Sequence, residues 1–208
     1  MRLYITILLV IINSVLFAQK NVYNVSLTNA VTSFNSSNNK TDYTSLIQDL
    51  EKLNASNSKD WIPAYYLSLI YVRLSIANTD LSDEYADKAL YWANKSLVLN
   101  ANDETYCAYT MSIITKMSVN PFIRWLKYKG AIYENLGKAK KINPSNPRVY
   151  LLEAKLNMNI PKVFGGGCKQ TKPLIIKAQH LMENQLPQSV LPSWGKQILH
   201  DLKEACAF

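Results

Sequence analysis

Three cysteines, two histidines and one run of three glycines are the residues of this 208-residue chain whose types could do chemistry. The glycines, Gly165–Gly167, follow Phe164 and precede Cys168. Three glycines permit positive φ and a close backbone approach. A phosphate loop would need Gly-x-x-x-x-Gly-Lys-Ser/Thr after a strand. Neither the spacing nor a strand is present. The run therefore reads as a tight helix–helix connection with Phe164 tucked beneath it. Lys169 and Lys172 follow it and could attract an anion.

The cysteines are Cys107, Cys168 and Cys206. Cys107 stands among Tyr106, Tyr109 and Met111, so it is expected to be a buried apolar residue. Cys168 and Cys206 could form a disulfide if the final helix folds back. No histidine lies near any cysteine in sequence, so a nucleophilic thiol is not expected. His180 and His200 fall on C-terminal helices, with Glu183, Asp201 and Glu204 close by. No His-Glu-x-x-His or Cys-x-x-Cys accompanies them, and a metal centre needs three or four converging ligands. The reading is therefore non-enzymatic, with no catalytic residue, no metal and no cofactor.

Charge is divided unevenly. The whole chain carries +8, but Thr41–Glu104 holds ten acids against five bases. Lys116–Lys177 holds thirteen bases against two acids. A basic half of this kind suits an anionic partner: a membrane surface, a polyanionic glycan or an acidic protein. Nucleic acid is not expected, because no binding motif accompanies the charge.

The elements that must position these residues are helices. Leu46, Ile47, Leu50 and Leu53 recur at helical spacing within Thr41–Ala55. Residues 62–77 follow, with Pro63 in the first turn, where its missing N–H costs nothing. Ser82 is the expected N-cap of a third helix, with Asp83 and Glu84 complementing its dipole. That helix has two apolar stripes, one through Tyr85, Ala89, Trp92 and Leu99, the other through Ala86, Leu90, Ala93 and Leu97. It needs a neighbour on each side. Asp103, Pro121 and Pro147 open three more helices, and Lys172–Glu183 and Trp194–Cys206 supply the last two. No period-2 run bounded by hairpin turns occurs.

Residues 1–18 read as a secretory signal: Arg2, an apolar run from Leu3 to Ile12, and small Ala18 before Gln19. The apolar stretch is short for a membrane span of about 20 residues. The chain is thus expected to be exported, to the periplasm or beyond, with a polar lead-in and a short helix over 19–40. A helical domain over 41–208 should follow.

Two segments, 93–109 and 137–153, align, with an offset of 43 residues between their aliphatic-Asn turns. Leu99-Asn100-Ala101 answers Ile142-Asn143-Pro144, and Leu53-Asn54-Ala55 is a weaker third copy. Each ends one helix and begins another rich in tyrosine, as helix-hairpin repeats do. With small Ala89, Ala93 and Ala139 and the Leu67-Ser68…Tyr71 pattern, the chain resembles the tetratricopeptide repeat family. Its repeats are longer than the usual length of about 34, and Met111 stands where a small residue belongs. It resembles more closely a group of exported Bacteroidetes tetratricopeptide proteins. The matching residues are Trp61, Pro63, Tyr65, Tyr66, Leu67 and Ser68, then Asn146-Pro147-Arg148, Phe164–Gly167 and Trp194–Lys196.

The resemblance implies an all-α, right-handed stack of about three helix hairpins with a capping helix. Trp194, Leu199 and Leu202 should seal the last pair. The expected function is an exported scaffold that binds a protein or peptide in its concave groove through Tyr65, Tyr66 and Tyr71. Lys169 and Lys172 would serve any acidic part of that partner. The alternative is a ligand-binding accessory of a transport system that encloses an apolar ligand within the helices.

Overall fold

A computed structural model of the chain describes residues 20–38, 40–160, 162, 166–185, 190 and 192–207. The expected signal at 1–18 and Phe164 lie outside these residues. The first helix, α1, covers 20–36. It is a full helix of the core, not a short lead-in: Leu27, Ala30, Val31 and Phe34 are buried. The others are α2 (Thr44–Ser56), α3 (Ile62–Ala77), α4 (Ser82–Leu99), α5 (Asp103–Val119), α6 (Pro121–Ile142), α7 (Pro147–Asn159), α8 (Cys168–Glu183) and α9 (Lys196–Ala205). No strand occurs among the described residues.

Helices α3 and α4, α5 and α6, and α7 and α8 pair as hairpins, and α3, α5 and α7 touch in a row. Helix α9 packs on α7 and α8 and caps the stack. The inner row explains its own sequence. Every residue of α3 from Pro63 to Val72 is buried, because α2, α4 and α5 all press on it. A helix enclosed in this way is apolar all round and shows no amphipathic stripe. Helix α4 meets α3 through Ala86, Ala89 and Ala93, all fully buried. These small side chains let the two backbones approach. Ser96 Oγ adds a hydrogen bond to the Trp61 carbonyl at 3.0 Å.

The corner between α1 and α2 is fastened by Arg73. Its guanidinium lies 3.9 Å over the Phe34 ring. It donates to the Phe34 carbonyl at 3.2 Å and to the Tyr43 hydroxyl at 2.9 Å. It thereby satisfies a carbonyl at the end of α1.

Three expectations need correction. Ser82 is the first residue of α4, not its cap; Leu81 holds the cap position, and the Ser82 hydroxyl pairs with Ser75 at 3.2 Å. Helix α8 begins at Cys168, four residues early, with Pro173 inside it. Gly167 makes this start possible: its φ is +89°, and its N–H returns to the Asn157 carbonyl at 2.9 Å. Trp194 precedes α9 and packs on the inner row instead of sealing the α8–α9 pair.

Candidate functional site

The inner face of the stack is built from the N-terminal ends of α5 and α7. Asn146 accepts from the Arg148 N–H at 2.9 Å, and Pro147 starts the helix. This turn sends the fully buried Arg148 side chain inward. Asn102 and Thr105 form a reciprocal capping box that fixes Asp103 and Glu104 in the first turn of α5. Glu104 then accepts from Arg148 Nη1 at 3.0 Å, Asn146 Nδ2 at 2.8 Å and the Tyr65 hydroxyl at 2.9 Å. Asp103 accepts from Asn143 and Asn146 at 2.9 and 2.8 Å.

The concave side of this face is already occupied, by the segment that leads into α9. Arg148 Nη2 donates to the Pro192 carbonyl, and the Tyr66 hydroxyl donates to the Val190 carbonyl at 3.3 Å. The Trp194 indole donates to the Tyr65 oxygen, with the Arg148 guanidinium 5.5 Å from the Trp194 ring centre. Ser193 reaches Asn35 at 2.9 Å. The chain thus lays its own residues where the sequence reading placed a foreign peptide.

Electrostatics fit a structural role. Burial pushes the Glu104 carboxyl up, and the Arg148 charge opposes it. Burial, followed by the Glu104 charge, raises the Tyr65 hydroxyl well above its ordinary range, so it stays protonated and donates. Buried charges persist only when paired and hydrogen-bonded, and both carboxylate oxygens of Glu104 have donors.

The sequence-predicted site residues separate. Tyr65 and Tyr66 are fully buried and Tyr71 nearly so. They are core, because α3 is enclosed on several sides, and they offer no ring to a partner. Lys169 and Lys172 are exposed in the first two turns of α8. Cys168 and Cys206 are joined, with Cα atoms 5.4 Å apart, and Cys107 is fully buried. The Arg148–Glu104 pair was missed by the sequence reading. Its signal was Asn146-Pro147-Arg148, a capped helix start carrying a charge.

The C-terminal end offers an open groove of about 710 Å³ between α8 and α9. Residues 179, 182 and 183 line one wall; 196, 199, 200, 203 and 204 line the other. Both sets follow helical spacing and so share a face. Gly195 sets the entry to α9: its φ is +115°, and a Cβ there would lie 2.7 Å from Leu151. The Cys168–Cys206 bridge and buried Leu202 hold α9 from below. Lys203 spans the groove to Gln179 at 2.9 Å. His200 Nε2 lies 3.4 Å from Glu204 on the same helix. The groove thus combines an imidazole (His200), a thioether (Met182), an apolar side chain (Leu199) and two ammonium groups (Lys196 and Lys203). A larger groove, about 1170 Å³, runs between α1 and α2. Its lining has no imidazole or thioether, and the Tyr23 hydroxyl there is committed to Asp60 at 2.8 Å.

A solved structure carries the same fold. The chain is similar to the HusA haemophore from Porphyromonas gingivalis, a Bacteroidetes species. The two share 27% identity, the match covers 88% of this chain and 92% of that chain, and the TM-score is 0.76. No protein-family model and no curated protein matches. A likeness to a haemophore of that group agrees with the helical, exported, non-catalytic binding protein expected from the sequence. No helix among the described residues is long and apolar enough to cross a membrane.

Proposed function

We propose that this protein is an exported carrier of haem or a closely related tetrapyrrole, seated in the α8–α9 groove. The observation that carries the reading is the likeness to a haemophore over nearly the full length of both chains. The occupied inner face adds to it, because Val190, Pro192 and Trp194 of the chain itself lie where a peptide would.

The α8–α9 groove has the chemistry that such a ligand needs. Haem iron takes imidazole or thioether ligands, and His200 and Met182 carry these groups on facing walls. Leu199 and the stem of Lys196 offer apolar contact to a flat macrocycle. The ammonium groups of Lys196 and Lys203 suit its carboxylates. The reading is one of capture and release, with no bond made or broken in the ligand's carbon skeleton. The three stacked hairpins also support reading the fold as degenerate tetratricopeptide repeats. Residues 1–18, read as a removable leader, would place the carrier outside the cytoplasm.

The test is native mass spectrometry of the protein mixed with haemin or with iron-free protoporphyrin. One equivalent of haemin should be retained, and His200→Ala should weaken haemin more than protoporphyrin. Retention of neither would overturn the carrier reading. Equal retention of haemin by wild type and His200→Ala would remove His200 from the seat.

A further inference from the structure

Helix α6 outruns the hairpin stacked after it. It has 22 residues, whereas α7 has 13. At 1.5 Å per residue these are about 33 Å and about 20 Å long. The two helices leave their shared turn at 143–146 as neighbours and touch only lightly. The first two turns of α6 therefore overhang the end of α7 and have no next helix to cover them. Phe122 is 95% exposed, Ile123 71% and Leu126 74%. Spacings of one, three and four residues put these three on one side of the helix. The same side stays open farther along, where Gly130 and Gly137 have no atom within 4 Å of a built Cβ.

This tip is held rigidly. Arg124 donates to Asp83 at 3.0 Å and to the Lys116 carbonyl at 2.9 Å. Lys116 in turn holds Asp83 and Asp87 at 2.7 and 2.6 Å. The ion cluster ties the start of α6 to α4 and α5, so the apolar side chains project from a braced edge. Exposed Lys127 and Lys129 flank them, and α6 carries no acid before Glu134. Over its length it has six bases and one acid.

We propose that the first turns of α6 dock the protein on the surface of an anionic lipid bilayer. Phe122, Ile123 and Leu126 enter the boundary between headgroups and acyl chains, and Lys127 and Lys129 meet the lipid phosphates. Convex apolar side chains beside lysines are how an interfacial helix binds: buried apolar area and anionic attraction add. Charge points to an anionic surface: two exposed lysines flank the apolar tip, and α6 has no acid before Glu134. This surface is separate from the α8–α9 groove, and the inference does not depend on what that groove binds.

The experiment is co-sedimentation of the full chain with vesicles of equimolar phosphatidylglycerol and phosphatidylcholine, or of phosphatidylcholine alone. Wild type should partition at least about tenfold better onto the anionic vesicles, with the preference fading as salt rises. Phe122→Ser with Leu126→Ser should lower binding at least about tenfold while leaving the melting temperature unchanged, since both side chains are exposed. Lys127→Gln with Lys129→Gln should reduce the anionic preference and keep residual binding. No sedimentation with either vesicle, or equal binding by wild type and the serine variant, would overturn the proposal. A self-associated species that the serine variant dissolves would also overturn it, by assigning the patch to a second copy.

Discussion

Trp194 donates its indole N–H to the hydroxyl of Tyr65, 129 residues earlier in the chain. This bond joins the segment before α9 to the innermost helix of the stack. The same hydroxyl donates to Glu104, which also receives Arg148. One phenol thus connects α3, α5 and the closing segment, and through Glu104 reaches α7. The inner face is thus a seam within the protein.

Loss of the indole should loosen that seam. Trp194→Ala should destabilise the protein by about 3 kcal/mol, within the range for removing a large packed aromatic. Urea unfolding followed by far-ultraviolet circular dichroism measures it. Tyr65→Phe keeps the ring and should cost less, about 1–3 kcal/mol, because it removes the acceptor of Trp194 and one donor to Glu104.

Gly195 should tolerate no side chain. Its φ is +115°, and a Cβ would lie 2.7 Å from a methyl group of Leu151. Gly195→Ala should lower stability by at least about 1 kcal/mol. It should also weaken ligand retention in the α8–α9 groove, since this turn sets the direction of α9. Thermal melts and native mass spectrometry of the same variant test both.

The Cys168–Cys206 bridge closes a loop of sequence separation 38. Chain-entropy arguments assign such a loop about 4 kcal/mol. Cys168→Ser with Cys206→Ser should lower the melting temperature, and amide hydrogen exchange should rise first in α9. A uniform rise over the whole chain would show that α9 does not open separately.

Stability should fall in acid through Asp83. Hydrogen bonds from Arg124 and then Lys116 hold its carboxyl well below the usual range. A carboxyl depressed in the folded state stabilises the fold above its unfolded pKa of about 3.9. That contribution is lost as pH falls from there toward the folded value. The gap in melting temperature between wild type and Asp83→Asn should therefore be widest near neutrality and should narrow below about pH 4. A gap unchanged down to pH 2.5 (roughly 1.4 units below the unfolded value) would contradict this.

The helices were legible wherever local chemistry marks them. Pro63, Pro121 and Pro147 stand in the first turns of α3, α6 and α7, as read from the sequence. The buried side of α6 falls at helical spacing in the sequence, Ile132, Leu136 and Ala139 being four and three residues apart. Helix α1 was legible only as a short helix, because its core residues Leu27, Ala30, Val31 and Phe34 are spread among Asn, Ser and Thr. The early start of α8 depends on a positive φ at Gly167, which the run of three glycines permits without specifying.

The tyrosines misled for a related reason. Tyr65, Tyr66 and Tyr71 stand on an inner helix, where a repeat protein often meets its ligand. Whether that face is open depends on Val190 and Trp194, more than a hundred positions away. No local pattern encodes that closure. His200 was visible as a lone histidine, but Met182 becomes its neighbour across the groove only when α9 folds back on α8.

Absorption titration of haemin into the full chain tests the central claim most directly. The account predicts a saturable shift of the Soret band at one equivalent, with a Kd of about 1 μM or tighter. It also predicts that His200→Ala alters the spectrum of the bound haem. A spectrum that remains that of free haemin throughout would contradict it.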